Sequence, residues 1–432
     1  MSSRDKKSLV ASLRCRFKRS LSFQSSRPCE PYLTLPVPAP IDEGIGLPDE
    51  NSSRVELLRV LPTEITLHIF SHLDRSTLLT ASTVCKQFNT LVNQNIYWKR
   101  LYLSQPFWRV KQNTPKSIDW KKLYINRFEL ERRWKKGLAS PKYVRGHTDS
   151  VYCAQFDCEK IISGSRDKSI NIWDLKTGHL IKSLARPQHD SHTASVLCLQ
   201  FDDEIMVSGS SDYGIIIWDI QKFRILRKLF GHTAGVLDVK HNSGTIVSCS
   251  KDTSIIVWSR KGDLIRRLMG HRGPVNAIQL AGEIVVSASG DAVIKMWNTG
   301  TGECLKEFHG HTRGLACLQY DPVLGLIASG GNDQTLRIWD SKTGQATHLL
   351  ESHRQLVRTL HMSNGRIVSA SYDQSIKVWD YTTGRLELDF PKWHNSWIFS
   401  VQSSADRIVS ASQDHSILVL NFGEGLDLGY ID

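Results

Sequence analysis

No stretch of this sequence approaches the roughly 18 consecutive apolar residues that a membrane-spanning helix needs, so no membrane span is expected. The basic amino terminus also lacks the long apolar core of a secretory signal. No Cys-x-x-Cys pair occurs among Cys15, Cys29, Cys85, Cys153, Cys158, Cys198, Cys249, Cys304 and Cys317. The scattered cysteines give neither metal-ligand spacing nor a disulfide framework, and reduced thiols in a cytoplasmic or nuclear protein are expected, with no cofactor and no metal. Methionine is scarce, at 5 residues, whereas tryptophan reaches 12 and recurs at a fixed period.

The chain has 432 residues and a net charge of +12, and the location of that charge decides what it implies. Residues 1–30 carry 8 Lys/Arg against 2 Asp/Glu, and residues 99–145 carry 14 against 3. Residues 146–432 carry 29 against 31 and are near neutral. An excess confined to a tail and a linker argues against a nucleic-acid-binding protein.

From residue 146 a pattern returns about every 40 residues. Its units are His147, Ser163, Asp167, Trp173; His192, Ser208, Asp212, Trp218; His232, Ser248, Asp252, Trp258; and His271, Ser287, Asp291, Trp297. They continue with His311, Ser329, Asp333, Trp339; His353, Ser369, Asp373, Trp379; and His394, Ser410, Asp414, with Leu420 in place of tryptophan. Stretches such as Ile170–Trp173 alternate apolar and polar residues as half-buried strands do, and the Asp-led pairs before them read as tight turns. A catalytic Ser/His/Asp set would be single and would face a cleft; one copied seven times is architecture, so no enzyme is expected. One such unit cannot bury its apolar face alone and must stack on neighbours.

These units resemble WD40 repeats. The resemblance implies an all-β seven-bladed propeller over residues 141–432, in which His, Ser, Asp and Trp form a hydrogen-bonded chain. The last unit lacks an outer strand after Ile417–Leu420, and Lys142–Arg145, just before the first His, is available to supply it and close the ring. Leu420 is expected to weaken the network of that unit.

Ahead of the repeats, Pro62 stands at a first helical turn, Ile65, Ile69 and Leu73 recur every four residues, and Phe70 widens the stripe. Asp74, followed by Leu78, Leu79, Val84 and Phe88, predicts a cap and two further short helices. So small a unit buries its apolar surface poorly, and the surplus implies a partner. Leu61-Pro62, Glu64-Ile65, Ile69-Phe70, Leu73-Asp74, Leu78-Leu79, Val84-Cys85 and Trp98 resemble the F-box pattern along its length, with Phe88 where many F-boxes have tryptophan. The resemblance implies an α-helical F-box at 55–103 that docks a Skp-type adaptor, and through it a cullin and a RING protein. The adaptor-binding residues it implies are Leu61, Pro62, Ile65, Ile69, Phe70, Leu73, Leu78 and Leu79.

Residues 116–137 read as a basic amphipathic helix with Trp120, Leu123, Tyr124, Phe128 and Trp134 on its apolar stripe, within a helical linker at 104–140 whose charge is mostly a solvated face. Residues 1–54 read as a disordered basic tail followed by a proline-rich linker. Arg14, Arg16, Lys18 and Arg19 there suit nuclear import.

In WD40 propellers the loops around each His and before each Asp share one face. Receptors of the family place arginines there against phosphorylated segments. The resemblance therefore implies a substrate site at Arg166, Lys251 and Arg358, with Tyr152, Tyr372, Trp397 and Phe399 as an apolar subsite. Residues 55–422 together resemble an F-box/WD40 protein: a non-catalytic, substrate-recognition subunit of an SCF-type ubiquitin ligase, whose propeller binds the protein to be ubiquitinated. The alternative is a propeller scaffold unconnected with ubiquitin transfer, and the two differ in whether the Skp-type adaptor co-purifies.

Overall fold

The computed structural model describes residues 63–111, 117–184 and 191–431. The tail and linker expected at 1–54, and Leu61 and Pro62, lie outside them. The chain divides into two compact units, one of residues up to Gln105 with Asp119–Tyr124, the other of Pro106–Ile118 with Ile125–Asp432.

The first unit is helical: α1 (Thr63–Ser71), α2 (Arg75–Ser82), α3 (Lys86–Val92), α4 (Asn95–Leu103) and the start of α5 (Trp120–Lys136). The expected cap is present, since the Asp74 carboxylate accepts the Thr77 N–H at 3.0 Å and fixes the entry of α2. Cys85 does the same for α3 with its thiol sulfur, which accepts from the Phe88 N–H. Leu78, Val92, Trp98 and Tyr102 are buried, and the Trp98 indole donates to the Val92 carbonyl at 2.8 Å.

The second unit holds seven four-stranded antiparallel sheets. Blades 1 to 6 start at Val151, Val196, Val236, Val275, Leu315 and Val357, and each is a consecutive meander. Blade 7 combines Ile398–Ser403, Arg407–Ser412 and Ser416–Asn421 with Ser140–Arg145 from before blade 1, in the register Val144 to Ile417. The ring is thus closed by a borrowed strand, as expected, and the edge that an open ring would leave is covered.

Each blade is organised around one serine hydroxyl. In blade 1 the Trp173 indole lies 2.8 Å from Ser163 Oγ, which lies 2.7 Å from His147 Nε2, and His147 Nδ1 lies 2.9 Å from Asp167. Indole can only donate and carboxylate only accept, so the direction of the chain is fixed: Trp to Ser to His to Asp. The His–Ser and His–Asp contacts recur in all seven blades and the Trp–Ser contact in six. Blade 7 has Leu420, fully buried but without a donor, so Ser410 there keeps only its histidine from this chain. The glycine before the histidine makes room for the indole: a Cβ on Gly146 would stand 2.9 Å from the Trp173 ring.

The Asp carboxylates sit at tight turns whose next residue, Lys168, Tyr213, Thr253, Ala292, Gln334, Gln374 or His415, has φ between 65° and 71°. None is glycine, and the Asp side chain holds the turn through amide bonds, such as Ser254 N–H to Asp252 at 2.9 Å. Burial raises the Asp252 carboxyl, but bonds from Ser254, the Thr233 N–H and His232 outweigh it and hold the pKa at about 2. The Asp333 carboxyl is likewise held at about 2, burial being overcome by His311 and two amides. Burial lowers His232 and His271 below the ordinary histidine value.

The second half of α5 packs in this unit. Leu130 and Trp134 join the core of blades 6 and 7; Trp134 stacks on Phe422 at 3.8 Å and donates to the Ala405 carbonyl at 2.9 Å. The expected stripe needs correcting. Leu123, Tyr124 and Trp134 are buried as expected, but Phe128 is exposed, and the buried side of α5 also takes in Arg127 and Leu130. Nor is the charge only a solvated face: Arg127 is fully buried over the Trp108 ring and 3.4 Å from Glu131. Arg133 donates to the Phe422 and Glu424 carbonyls. No described helix is long and apolar enough to cross a membrane.

Two outcomes follow from the network. Both proton-binding terms have one sign, because the unfolded chain binds protons more readily than the native one. The histidine contribution is complete above about pH 6.5 and is lost as the pH falls below it, while that of the aspartates is complete above about pH 4 and is lost as the pH falls through 2. Thermal melts should show a Tm level near neutrality, falling below about pH 6.5 and more steeply below about pH 4; a Tm that rose on acidification would contradict the assignment. Thr253 is β-branched in a left-handed conformation, so Thr253→Asn should stabilise blade 3 by about 1 kcal/mol, read as a higher denaturation midpoint.

Candidate functional site: the loop face of the propeller

The loops that carry the network also build one face. The residue before each Asp donates its N–H to the carbonyl just ahead of the inner strand of the same blade: Arg166 to Ser150, Lys251 to Gly235, Asn332 to Gly314, Tyr372 to Leu356 and Gln413 to Trp397. Side chains on these paired loops therefore surround the mouth of the central channel.

The structure assembles the four expected aromatics. Tyr372 of blade 6 stacks on Trp397 of blade 7 with ring centroids 4.6 Å apart and planes 6° from parallel. Phe399 stands edge-on to Tyr372 at 5.8 Å and meets Tyr152 of blade 1 at 5.0 Å. Trp397 remains 43% exposed, whereas Phe399 is buried and supports the wall from behind. Offset stacking of this kind fixes an apolar wall for little entropy.

The three expected cations are not brought together. Arg166, Lys251 and Arg358 belong to blades 1, 3 and 6. The Arg166 side chain is 60% exposed and 3.7 Å from Asp149, which offsets its charge. Arg358 lines the channel and also a neighbouring pocket of about 370 Å³, together with Leu237, Asn276, Asn332, Leu356 and Tyr372. Reading by landmarks passed over Arg272, Arg313 and Arg354, which follow the histidines of blades 4, 5 and 6 by one or two residues and are exposed. Their signal was available, since blades 1 to 3 have threonine, aspartate or alanine wherever these arginines stand.

Below the mouth, the channel wall is a belt of clasps between neighbouring blades. Gln155 accepts the Phe201 N–H at 2.7 Å, Gln200 the His241 N–H at 2.6 Å, Asp238 the Ile278 N–H at 3.0 Å and Gln319 the Met362 N–H at 2.5 Å. Gln402 accepts the Phe156 N–H at 2.8 Å and carries the belt across the closure. Two members depart from glutamine. Lys240 is bonded to Asp238 at 3.0 Å, and that pairing outweighs burial and raises its pKa. His361 is pushed down to about 4 by burial, with Lys240 adding to it, and is neutral at pH 7.

In the helical unit, Phe70 and Leu78 are 4% and 1% exposed. They were expected to contact a partner, but they are core residues, and Phe70 packs edge-on against Phe88 at 4.9 Å. Ile65 is 49% exposed, and Ile69, Leu73 and Leu79 are half-buried. A cavity of about 250 Å³ lies beside them, lined by Phe70, His72, Leu73, Tyr97 and Arg100 among others.

A helical module joined to a seven-bladed propeller with a furnished loop face defines a binding protein built on repeats. The F-box-like family model matches residues 58–104, and the WD domain, G-beta repeat model matches six segments between 139 and 380. The three C-terminal strands of the seventh blade lie beyond those segments, where Leu420 stands in place of tryptophan. The chain belongs to the F-box/WD40-repeat family. It is 30% identical over 159 residues to an F-box protein of Saccharomyces cerevisiae, covering 30% of this chain and 25% of that protein. It is 27% identical over 164 residues to "Probable E3 ubiquitin ligase complex SCF subunit sconB" of Arthroderma otae, covering 30% and 24%. With "F-box/WD repeat-containing protein 7" of Drosophila melanogaster it shares 30% identity over 142 residues, covering 30% and 11%. The matches thus span about a quarter or less of the length of these curated relatives.

The belt generates its own test. Asp238→Ala removes the partner of a charge inside the channel and a clasp between blades 3 and 4, and should cost about 3 kcal/mol in urea unfolding. Lys240→Met in that background should recover part of the loss; no recovery would mean that the clasp alone accounts for it.

Proposed function

We propose that this chain is the substrate-recognition subunit of an SCF-type ubiquitin ligase: the helical module docks a Skp-type adaptor, and through it a cullin and a RING protein, while the loop face of the propeller holds the protein to be ubiquitinated. The observation that carries this reading is the ordered pair of modules, an F-box-like segment followed by WD40 repeats. Two relatives bear names that place them among F-box proteins and SCF subunits. In this reading the chain contributes no chemistry to the transfer and works in the cytoplasm, the nucleus or both.

The adaptor contact then falls to Ile65, Ile69, Leu73 and Leu79, which the module leaves accessible, with Phe70 and Leu78 holding the helices that present them. Substrate contact falls to Arg358, Tyr152, Tyr372 and Trp397, with Arg166 and Lys251 at the rim and Phe399 behind the wall.

The experiment is adaptor capture. A variant with Ile65→Asp and Leu73→Asp places two charges in an apolar contact and should lose at least about tenfold of its Skp-adaptor affinity, since interface anchors typically contribute about 2 kcal/mol. The melting of the propeller should not move. Full capture by that variant, or no capture by the parent chain, would point instead to a scaffold outside ubiquitin transfer.

A further inference from the structure

The outer strands of the blades follow one plan but differ in charge. Residues 222–230, around the outer strand Arg224–Leu229 of blade 2, carry 4 Lys/Arg and no Asp/Glu. Residues 261–269, around Leu264–Leu268 of blade 3, carry 3 against 1. The equivalent residues of blades 4, 5 and 6, at 301–309, 343–351 and 382–390, carry 1 against 2, 0 against 1 and 1 against 2. The pairing register shows where the difference arises. Glu307 of blade 4 and Asp389 of blade 6 stand opposite Lys295 and Lys377 of the adjoining strand and form ion pairs with them. At the same place blades 2 and 3 have Lys228 and Arg267, opposite Ile216 and Ile256. Arg224 and Arg227 have Asp219 and Asp263 at 3.5 and 2.8 Å, and Arg267 has Asp252 at 4.0 Å. The Arg266 guanidinium bonds only the neutral Gly300 carbonyl, at 2.9 Å, and Lys222 and Lys261 add two exposed charges at the turns, so the strip stays cationic.

The same two strands expose large apolar side chains. Leu226, Phe230, Leu264, Ile265 and Met269 are between 50% and 73% exposed. Phe230 and Met269 hold equivalent places, one residue before Gly231 and Gly270, where blade 4 has His309 and blade 5 has Glu351. Cations on an edge strand deter it from pairing with a foreign strand, a duty that Phe230 and Met269 beside them do not share. Large apolar groups among cations on a surface mark a contact. The two strips are also tied together, since Arg227 of blade 2 donates to the Lys261 carbonyl and to Asp263 of blade 3, both at 2.8 Å.

We propose that the outer edges of blades 2 and 3 dock the propeller on an anionic phospholipid bilayer, with Leu226, Phe230, Ile265 and Met269 at the acyl boundary and Lys222, Lys228, Lys261 and Arg266 among the headgroups. Apolar area and attraction to anionic lipid add in such a contact. Three features favour a bilayer over other occupants. A plane laid against a seven-sided ring touches two neighbouring edges, and the basic, apolar edges are neighbours. Those edges lie on the convex outside of the ring, where a folded partner would need a matching hollow and a bilayer deforms to fit. Each outer strand is bonded on one side only, and a hydrated headgroup layer satisfies the remaining N–H and C=O groups as hydrocarbon could not. A second copy of the chain would bring like charges together. In this pose the axis of the propeller lies along the membrane plane and the loop face opens sideways. The proposal does not depend on the ligase reading.

The test is flotation of the full chain with vesicles of phosphatidylcholine alone or with one lipid in three replaced by phosphatidylserine. Residues 1–30 are basic as well, so the readout is the difference between the parent and its edge variants. The parent should partition onto the anionic vesicles at least about tenfold better than onto neutral ones. Lys222→Glu with Arg266→Glu should lower that partition at least about tenfold at low salt, and the gap to the parent should narrow as salt rises. Phe230→Ser with Met269→Ser should lower it at least about fivefold, and this gap should persist at high salt because apolar contact is not screened. Lys176→Glu with Lys342→Glu makes the same change of charge on exposed turns of blades 1 and 5 and should leave the partition within about twofold. Thermal melting checks that each variant is folded. Edge variants that float like the parent overturn the proposal, as does a loss in the blade 1 and 5 control that matches theirs. A parent that sediments as a dimer, with the Phe230→Ser and Met269→Ser variant a monomer, would assign the edge to a second copy and overturn it. Displacement of bound vesicles by an acidic peptide with alternating leucines would make the edge a docking strand for a protein and overturn it too.

Discussion

The fold depends on a serine hydroxyl that must donate and accept at once. Ser163 and its equivalents are fully buried, and a buried hydroxyl without partners costs far more than the bond it would make in water returns. The histidine takes its proton and the indole supplies one in return. Because the histidine hands a proton on to Asp, strand, loop and turn of a blade are bound into one chain of donors. Remove an end and the loss is transmitted: without Asp the imidazole has no reason to keep its tautomer, and the serine then faces a donor where it needs an acceptor. Blade 7 shows the limit of economy. Leu420 fills the indole's place with hydrocarbon, and the blade keeps its fold because Ser140–Arg145 and the Trp134 side chain of α5 brace it from outside.

A blade made stable in this way still has to be held to its neighbours, and the hydrocarbon between blades is non-directional. Direction comes from the channel belt. The Gln155, Gln200, Gln319 and Gln402 carboxamides and the Asp238 carboxylate reach one blade onward and accept a backbone N–H of the adjacent inner strand, so that the rotation between those blades is set by hydrogen bonds of 2.5–3.0 Å. Rings of this kind are closed systems, in which the last clasp, Gln402 to Phe156, determines whether the accumulated rotation meets its start. The substitution of Lys240 and His361 for glutamine introduces ionisable groups there. Asp238 keeps the one charged and burial keeps the other neutral.

How far this was legible in the sequence follows from which constraints name a residue type. The network does: its order of indole, hydroxyl, imidazole and carboxylate calls for few residue types, so six full copies and one with Leu420 stand out, and the borrowed strand follows from counting strands. The cap at Asp74 was legible for the same reason. The clasps were not, because a lone glutamine on an otherwise apolar strand looks like any solvated residue until the next blade is placed beside it. The stripe of α5 was misread at Arg127, since a period argument that scores only apolar residues skips an arginine and promotes Phe128 one position away. Phe70 and Leu78 were assigned outward because an amphipathic stripe tells which residues are apolar, not which of two partners covers them. At the loop face the aromatic positions were legible from their offsets within the repeat. The free cations were not, because whether an arginine is available depends on which carboxylates the turns have already taken.

That last point also explains how one scaffold can carry a selective surface. Seven aspartates at the loop face would give it a strongly negative field if their charges were free. Each keeps its charge, but its oxygens are committed to its own histidine and to turn amides, so they serve the blade first. The residues beside the network differ from blade to blade: threonine, alanine and glycine around His232, arginine after His271 and His353, asparagine and tryptophan after His394. A loop position that contributes only its backbone N–H to the aspartate, as Arg272 and Arg354 do, can hold any side chain without disturbing the blade. The structural bonds of these positions are made by the backbone, and recognition is left to the side chains.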